Sequence, residues 1–175
     1  MVLCGMFAAL VAIGAFIQIP VPYMDYFTLQ FFFVLLAGLI LGADKGAISV
    51  GCYVLLGLVG VPIFAAGGGI GYIFRPSFGY LVGFIVSAYV TGKVCEKLKA
   101  SYKNYLLACL AGFVVTYAIG IVYKFIILNF YAHTPATLGV IFLSCFPLDM
   151  PGYFLLCLLA AGVGLRMRKS GFYLS

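Results

Sequence analysis

The chain has 175 residues, of which 66% are hydrophobic and only 8% are charged, and its mean hydropathy is +1.23. Soluble domains carry about 25% charged residues, so this composition excludes a soluble module and predicts a single integral membrane domain over residues 1–175. The net charge of +6 comes from the ends of apolar stretches, which indicates orientation in a membrane and not nucleic-acid binding.

The first three apolar segments are predicted over residues 2–19, 27–42 and 46–60. Segment 1 has no basic n-region or cleavage site, so we expect a transmembrane helix and not a removed signal. It should end at the proline pair Pro20 and Pro22. A tight turn over residues 42–46 should join segments 2 and 3, both of which are short for a bilayer.

Residues 61–78 form an irregular, glycine-rich stretch that includes Gly67–Gly69 and Arg75. Irregular backbone at this depth is tolerated where other protein covers it or where it lines a cavity. The glycines lack the Lys-Ser/Thr ending of a phosphate-binding loop, which excludes nucleotide binding there. They allow either a close approach of the backbone to a ligand or simple flexibility.

Three further segments complete the chain. Segment 4 is predicted over 77–95 and segment 5 over 104–130. The last apolar stretch, 136–165, is too long for one crossing of a core of about 30 Å. Pro147 and Pro151 predict a break within it, after which the final helix should run from about residue 150 to residue 166.

The basic residues give the topology. If the N-terminus is cytoplasmic and the chain crosses six times, most basic residues are cytoplasmic, as the positive-inside bias requires. We therefore expect six transmembrane helices in the cell membrane, with both termini cytoplasmic. These cytoplasmic residues are Lys45, Lys93, Lys97, Lys99, Lys103, Arg166, Arg168 and Lys169.

Basic and acidic groups on the other side of the membrane are candidates for function. Asp149, between two prolines, could accept hydrogen bonds from a ligand, or could cap the start of a helix. Lys124 could bind a ligand or reach to the outer interface. Arg75 could pair with a ligand carboxylate or with a lipid headgroup. Asp25, in an outer loop, is expected to be solvated.

Other chemistry finds little support in the sequence. The six cysteines are scattered through apolar spans without a C-x-x-C pair, so neither a disulfide framework nor a metal site is expected. His133 is the single histidine, and metal binding needs more ligands. No nucleophile and base stand in a recognisable pattern, so we expect no catalytic residues.

Small residues recur at helical spacing, which lets membrane helices approach closely. Most such pairs should pack inside the protein, and segment 1, with Ala8 and Ala12, could equally serve a partner subunit. The internal pairs are Gly38/Gly42, Gly79/Gly83, Ala108/Gly112 and Ala160/Gly164.

Three motifs together resemble the BioY family, the biotin-binding substrate (S) components of energy-coupling-factor (ECF) transporters. Thr28-Leu29-Gln30 follows the proline-rich outer loop, and Gly60-Val61-Pro62-Ile63-Phe64-Ala65 leads into the triple glycine. Pro76-Ser77-Phe78-Gly79-Tyr80-Leu81-Val82-Gly83-Phe84 is the third motif. The resemblance covers nearly the whole chain.

The resemblance implies a six-helix S-component fold with one biotin site open to the outside and no other cofactor. It also implies that an Ala-x-x-x-Ala face, here Ala8 and Ala12, docks onto a membrane scaffold (T) subunit powered by two ATP-binding-cassette ATPases. The ligand-binding residues it leads us to expect are Asp149, Lys124, Arg75, Gly68, Gly69, Tyr80, Gln30 and Thr28.

The sequence departs from the family at one position. The family often has a lysine three residues after the aspartate that corresponds to Asp149, and this chain has Gly152. Lys124 or Arg75 should therefore bind the biotin carboxylate, and we favour Lys124 because an unpaired charge in a spanning helix is hardest to explain otherwise. A lysine introduced at position 152 should be tolerated.

Four other interpretations remain open on the sequence. An S-component for another small vitamin and an ion-coupled small-molecule transporter would share the same composition. A membrane-embedded enzyme would need a catalytic constellation, and a pure scaffold subunit would leave Arg75, Lys124 and Asp149 unexplained.

Overall fold

The computed structural model describes residues 2–19, 27–132, 137–145 and 149–171, and most of them are helical. A 3₁₀ helix spans Ile70–Phe74, and a π-helical turn, Ile127–Tyr131, continues the fifth α-helix. The α-helices are α1 (Val2–Phe16), α2 (Gln30–Leu41), α3 (Ala43–Val59), α4 (Phe78–Lys97), α5 (Tyr102–Ile126), α6 (Leu138–Cys145) and α7 (Asp149–Lys169).

Length and composition identify the stretches that can cross a membrane. Among the described residues, three stretches are long and apolar enough: Phe78–Lys97, Tyr102–Tyr131 and Met150–Lys169. The helices α1 and α2 are apolar but shorter, as the sequence predicted for segment 2. The structure thus contains a helix for each of the six predicted segments, with α6 as an additional short helix.

Glycines set the distances between the packed helices, as expected from their spacing. A Cβ at Gly38 would lie 2.5 Å from the carbonyl oxygen of Ala88, so α2 and α4 touch through their backbones. A Cβ at Gly83 would lie 3.0 Å from the Thr116 carbonyl oxygen, where α4 meets α5. The prediction that these small residues pack inside the bundle is therefore confirmed at both positions.

The turn between α2 and α3 is tighter than predicted. A single residue, Gly42, with φ of 83°, separates the two helices, and residues 43–46 already belong to α3. Glu96 of α4 accepts a hydrogen bond from the backbone N–H of Ala43 at 2.8 Å. Because this carboxylate satisfies one of the free N–H groups at the start of α3, the helix can begin directly after the glycine.

The C-terminal end of segment 1 is a short β-strand and not a helix. The helix α1 ends at Phe16, and β1 (Gln18–Ile19) pairs antiparallel with β2 (Phe27–Thr28). The backbone N–H of Leu29 also bonds to the carbonyl of Ile17 at 3.1 Å. The prediction of helix to residue 19 was wrong because strand pairing takes over these backbone groups. Pro20, Pro22 and Asp25 lie outside the described residues.

The last apolar stretch contains two described helices, and the predicted break between them lies outside the described residues. The helix α6 ends at Cys145 and α7 begins at Asp149. The intervening residues, which include Pro147, lie outside the described part of the chain, and so does His133. The final helix extends to Lys169, three residues beyond the predicted end.

Candidate functional site

Aromatic rings from β2, α2, α4, α5 and α7 meet between the helices, and we call them the aromatic cluster. The Phe31 and Tyr153 rings are 5.1 Å apart and nearly perpendicular, and Tyr117 lies 5.9 Å from Tyr153. Edge-to-face contacts of this kind favour one fixed arrangement of the rings. The cluster consists of Phe27, Phe31, Tyr80, Phe84, Phe113, Tyr117 and Tyr153.

Tyr80, an expected ligand-binding residue, belongs to this cluster. Its ring lies 5.8 Å from that of Tyr117, and a Cβ at Gly120 would approach it to 2.5 Å. The third motif of the sequence thus brings an aromatic wall to the α4–α5 contact. Asp149 is the first residue of α7, four residues before Tyr153, and its side chain lies outside the described part of the structure.

Thr28 and Gln30, two further expected ligand-binding residues, form a buried hydrogen-bonded series. The Thr28 hydroxyl donates to the Gln30 side-chain oxygen at 3.1 Å, and the Gln30 amide donates to the Tyr53 hydroxyl at 2.6 Å. The Tyr53 hydroxyl in turn donates to the carbonyl of Ile63 at 3.0 Å. Thr28 and Gln30 are only 4% and 3% exposed, and the structure gives them protein partners.

The stretch Val61–Arg75, which we call the glycine-rich segment, folds back on the end of α3. The Phe64 ring occupies the space that a side chain at Gly57 would need. A Cβ at Gly68 would likewise overlap the Val61 carbonyl, and Gly69, with φ of 101°, donates its N–H to the Gly57 carbonyl at 2.7 Å. These glycines are therefore required for packing and for a positive φ.

The two candidate cations lie on neighbouring stretches of backbone. Arg75 is exposed, and its guanidinium carbon lies 5.3 Å from the centre of the Tyr72 ring. The Tyr123 hydroxyl donates to the Ile73 carbonyl at 2.6 Å, which ties α5 to the glycine-rich segment just before Arg75. Lys124, the next residue on α5, is partly buried and makes an interaction within the chain.

This interaction removes the reason for favouring Lys124 over Arg75. Lys124 was favoured as an unpaired charge in a spanning helix, whereas in the structure it makes an interaction within the chain. Arg75 instead presents its guanidinium on the exposed end of the glycine-rich segment, next to an aromatic face that supports it.

The predicted docking residues of α1 differ in exposure. Ala8 is 7% exposed and belongs to the hydrophobic core, whereas Ala12 is partly buried. Gly5 and Ala9 are exposed, and a Cβ at Gly5 would have no neighbour within 4 Å. The small residues that α1 presents at its surface are therefore Gly5 and Ala9, one turn apart, with Ala12 at the edge.

A shallow groove of about 350 Å³ runs along the C-terminal half of α5. Its lining is almost wholly apolar and contains no acidic or basic side chain. A ligand with a charged carboxylate needs a cation or several donors, so this groove does not match the predicted ligand. The residues that line it are Ala118, Ile119, Val122, Tyr123 and Ile126.

Tyr53 and most of the aromatic cluster could not be identified from the sequence. Tyr53 stands in an apolar stretch of α3, and only its hydroxyl, which must find a partner when it is buried, distinguishes it there. Among the described residues, no group of three or more His, Cys, Asp or Glu side chains is placed to hold a metal ion.

Comparison with known proteins gives a consistent result over nearly the whole chain. The BioY family model matches residues 1–171. A probable biotin transporter BioY of Lysinibacillus sphaericus is 38% identical over 170 residues, covering 97% of this chain and 86% of that protein. The biotin transporter BioY of Thermotoga maritima is 45% identical over 130 residues, covering 74% and 73% of the two chains.

One solved structure extends this similarity to the fold. The crystal structure of the S-component for biotin from an ECF-type ABC transporter matches with a TM-score of 0.84 and 25% identity. The match covers 96% of this chain and 89% of that chain.

Proposed function

This chain belongs to the BioY family, and we propose that it is the biotin-binding S-component of an ECF transporter. The observation that carries the proposal is the match of sequence and fold over nearly the full length to a biotin S-component. The chain captures biotin at the outer side of the cell membrane, and its partners supply the energy for uptake.

The aromatic cluster suits the apolar part of biotin. Biotin has a fused bicyclic ring and a hydrocarbon tail, which gain from contact with aromatic side chains. Tyr80, Tyr117 and Tyr153 bring such faces together from three helices. Asp149 starts α7 four residues before Tyr153, and a carboxylate there accepts hydrogen bonds from the two ureido N–H groups of biotin.

The charged end of biotin needs a cation. We assign the biotin carboxylate to Arg75, whose planar guanidinium can donate two parallel hydrogen bonds to a carboxylate. Lys124, on the adjacent stretch of α5, is the second candidate. Gly68 and Gly69 are further candidates for backbone contact with the ligand, because a Cβ at Gly69 would meet nothing within 4 Å and a ligand can approach the backbone there.

No nucleotide-binding motif occurs in the sequence, so partner proteins or an ion gradient must supply the energy for uptake, and we propose partner ATPases. A membrane scaffold (T) subunit and two ATP-binding-cassette ATPases fill this role in ECF transporters. We place the docking contact on the exposed face of α1 that carries Gly5, Ala9 and Ala12, where small residues let a partner helix approach closely. The six helices then cross the cell membrane with both termini in the cytoplasm, as the basic residues require.

An uptake experiment separates this proposal from an ion-coupled transporter. Cells that lack their own biotin uptake should accumulate labelled biotin when this chain is expressed with a scaffold and its ATPases. A Walker A lysine substitution in the ATPases should abolish the accumulation. Collapse of the proton gradient with ATP maintained should leave it largely intact, whereas the reverse pattern would support ion coupling.

A further inference from the structure

We propose that Tyr53 is a positioning residue for the biotin carboxylate. Its hydroxyl, oriented by Gln30, fixes the glycine-rich segment so that Arg75 meets the carboxylate. The inference rests on the proposed function, since it takes biotin as the ligand and Arg75 as its cation. Nothing in the sequence motifs singles out Tyr53, which lies in α3 and is fully buried.

Tyr53 belongs to a buried series of hydrogen bonds that reaches the glycine-rich segment. The Gln30 amide donates to the Tyr53 hydroxyl at 2.6 Å, and this hydroxyl donates to the Ile63 carbonyl at 3.0 Å. The Thr28 hydroxyl donates a hydrogen bond to the side-chain oxygen of Gln30 at 3.1 Å. The series therefore joins β2, α2, α3 and the start of the glycine-rich segment. Buried groups of this kind are costly to leave without a partner, so the series holds Ile63 in one place.

A row of aromatic contacts leads from Tyr53 to Arg75. The Tyr53 and Phe64 rings are 5.6 Å apart, and the Phe64 and Tyr72 rings are 4.7 Å apart. The Arg75 guanidinium then lies 5.3 Å from the centre of the Tyr72 ring. Because packed rings have few alternative positions, a shift of Ile63 and Phe64 is passed to Tyr72 and to the cation.

Contacts with the end of α5 keep the glycine-rich segment folded when the Tyr53–Ile63 hydrogen bond is lost. The Tyr123 hydroxyl donates to the Ile73 carbonyl at 2.6 Å, and the rings of Phe74 and Tyr131 stack 4.8 Å apart. Loss of the Tyr53 hydroxyl should therefore displace Arg75 without releasing the whole segment. This makes the effect specific for the charged end of the ligand.

The test compares biotin with biotinamide, its neutral amide. Tyr53→Phe keeps the ring and removes the hydroxyl. We expect it to weaken biotin about tenfold and biotinamide less than about threefold, as measured by equilibrium binding to the purified protein in detergent. Arg75→Met should reduce the preference for biotin to a similar or greater extent. The double variant should lose no more than Arg75→Met alone, because both changes act on one contact.

Tyr105→Phe is the matched control. Tyr105 is buried, like Tyr53, and its hydroxyl accepts a hydrogen bond from Arg168 at 3.0 Å near the other end of the bundle. This variant should lose stability but keep the ratio of biotin to biotinamide affinity. If Tyr53→Phe weakens both ligands equally, as Tyr105→Phe would, or if Arg75→Met keeps the full preference for biotin, the inference is wrong while the proposed function stands. Absence of biotin binding in the unchanged protein would contradict the proposed function itself.

A second variant covers the case in which Tyr53→Phe does not fold. Gln30→Met combined with Tyr53→Phe removes both the donor and the acceptor of the Gln30–Tyr53 hydrogen bond. The Gln30 amide is then not left buried without an acceptor. We expect this double variant to lose the preference for biotin over biotinamide as well. A folded double variant with an unchanged preference would overturn the inference.

Discussion

The ring of Phe27 lies directly against Gly152, with its Cε2 atom 2.6 Å from the position that a Cβ at residue 152 would take. The same ring contacts Tyr153 edge-on at 5.0 Å. The aromatic ring thus fills the space beside the start of α7. The expectation from the sequence that a lysine at position 152 is tolerated conflicts with this packing, since such a side chain has no room while Phe27 stays in place.

We predict that even Gly152→Ala destabilises the protein, by about 1–3 kcal/mol, because the added methyl overpacks the contact with Phe27. Gly51→Ala in α3 is the control, because a Cβ there meets nothing within 4 Å. It should be neutral or stabilising by up to about 1 kcal/mol, the gain in helix propensity. Thermal unfolding of both variants in detergent gives the comparison. Equal unfolding temperatures of the two variants would show that the Phe27 ring moves aside at little cost.

A combined variant tests whether Phe27 replaces a longer side chain. Gly152→Lys alone should unfold at a lower temperature and bind biotin more weakly. Phe27→Ala in the same chain should recover part of the loss, because it vacates the space that the lysine needs. If Gly152→Lys alone behaves like the unchanged protein, the packing argument is wrong.

Asp149→Asn tests the ureido end of the site. The variant keeps the size of the side chain but replaces a charged acceptor by a neutral one. Loss of a charge-assisted hydrogen bond should weaken biotin by about 1.5–3 kcal/mol, which is about ten- to a hundredfold in affinity. Asp44→Asn serves as control, because Asp44 is exposed in the first turn of α3. Equal biotin affinities of the two variants would show that Asp149 does not bind the ligand.

Arg75→Met and Lys124→Met decide which cation binds the carboxylate. Each keeps an apolar stem and removes the charge. We expect Arg75→Met to bind biotin and biotinamide with nearly equal affinity, and Lys124→Met to keep the preference for biotin. The reverse result would assign the carboxylate to Lys124. If both variants keep the preference, backbone N–H groups near Gly68 and Gly69 bind the carboxylate instead.

Substitutions on α1 separate docking from ligand binding. Leucine at both Gly5 and Ala9 should abolish biotin uptake in cells while the purified protein still binds biotin, because bulky side chains keep the partner helix away. Ala8→Leu, on the buried side of the same helix, should instead disturb folding and binding. Uptake that survives the Gly5 and Ala9 changes would exclude this face from the docking contact.

Much of the architecture could be predicted from composition and from the positions of the prolines and small residues. The helix in each of the six apolar segments and the packing of Gly38 and Gly83 follow from segment length and small-residue spacing. The strand pair after α1 could not be predicted, because two-residue strands leave no periodic signal and depend on pairing with a separate stretch of the chain. The helix–helix turn at Gly42 is shorter than predicted because Glu96, distant in sequence, supplies its cap.

The site was predicted less completely, and for a physical reason. Motifs pointed to Thr28 and Gln30, but whether such a side chain faces a ligand or another residue depends on packing between helices. Tyr53, which accepts a hydrogen bond from Gln30, is 23 residues from it in sequence. Arg75 and Lys124 could be identified by their charge alone, whereas the interaction made by Lys124 becomes visible only in the fold.

Equilibrium binding of labelled biotin to the purified chain in detergent tests the central claim most directly. We expect saturable, reversible binding that needs no nucleotide, is unchanged by EDTA, and is competed by unlabelled biotin but not by thiamine or riboflavin. Absence of biotin binding by folded protein, together with binding of thiamine or riboflavin, would contradict the assignment and identify an S-component for another vitamin.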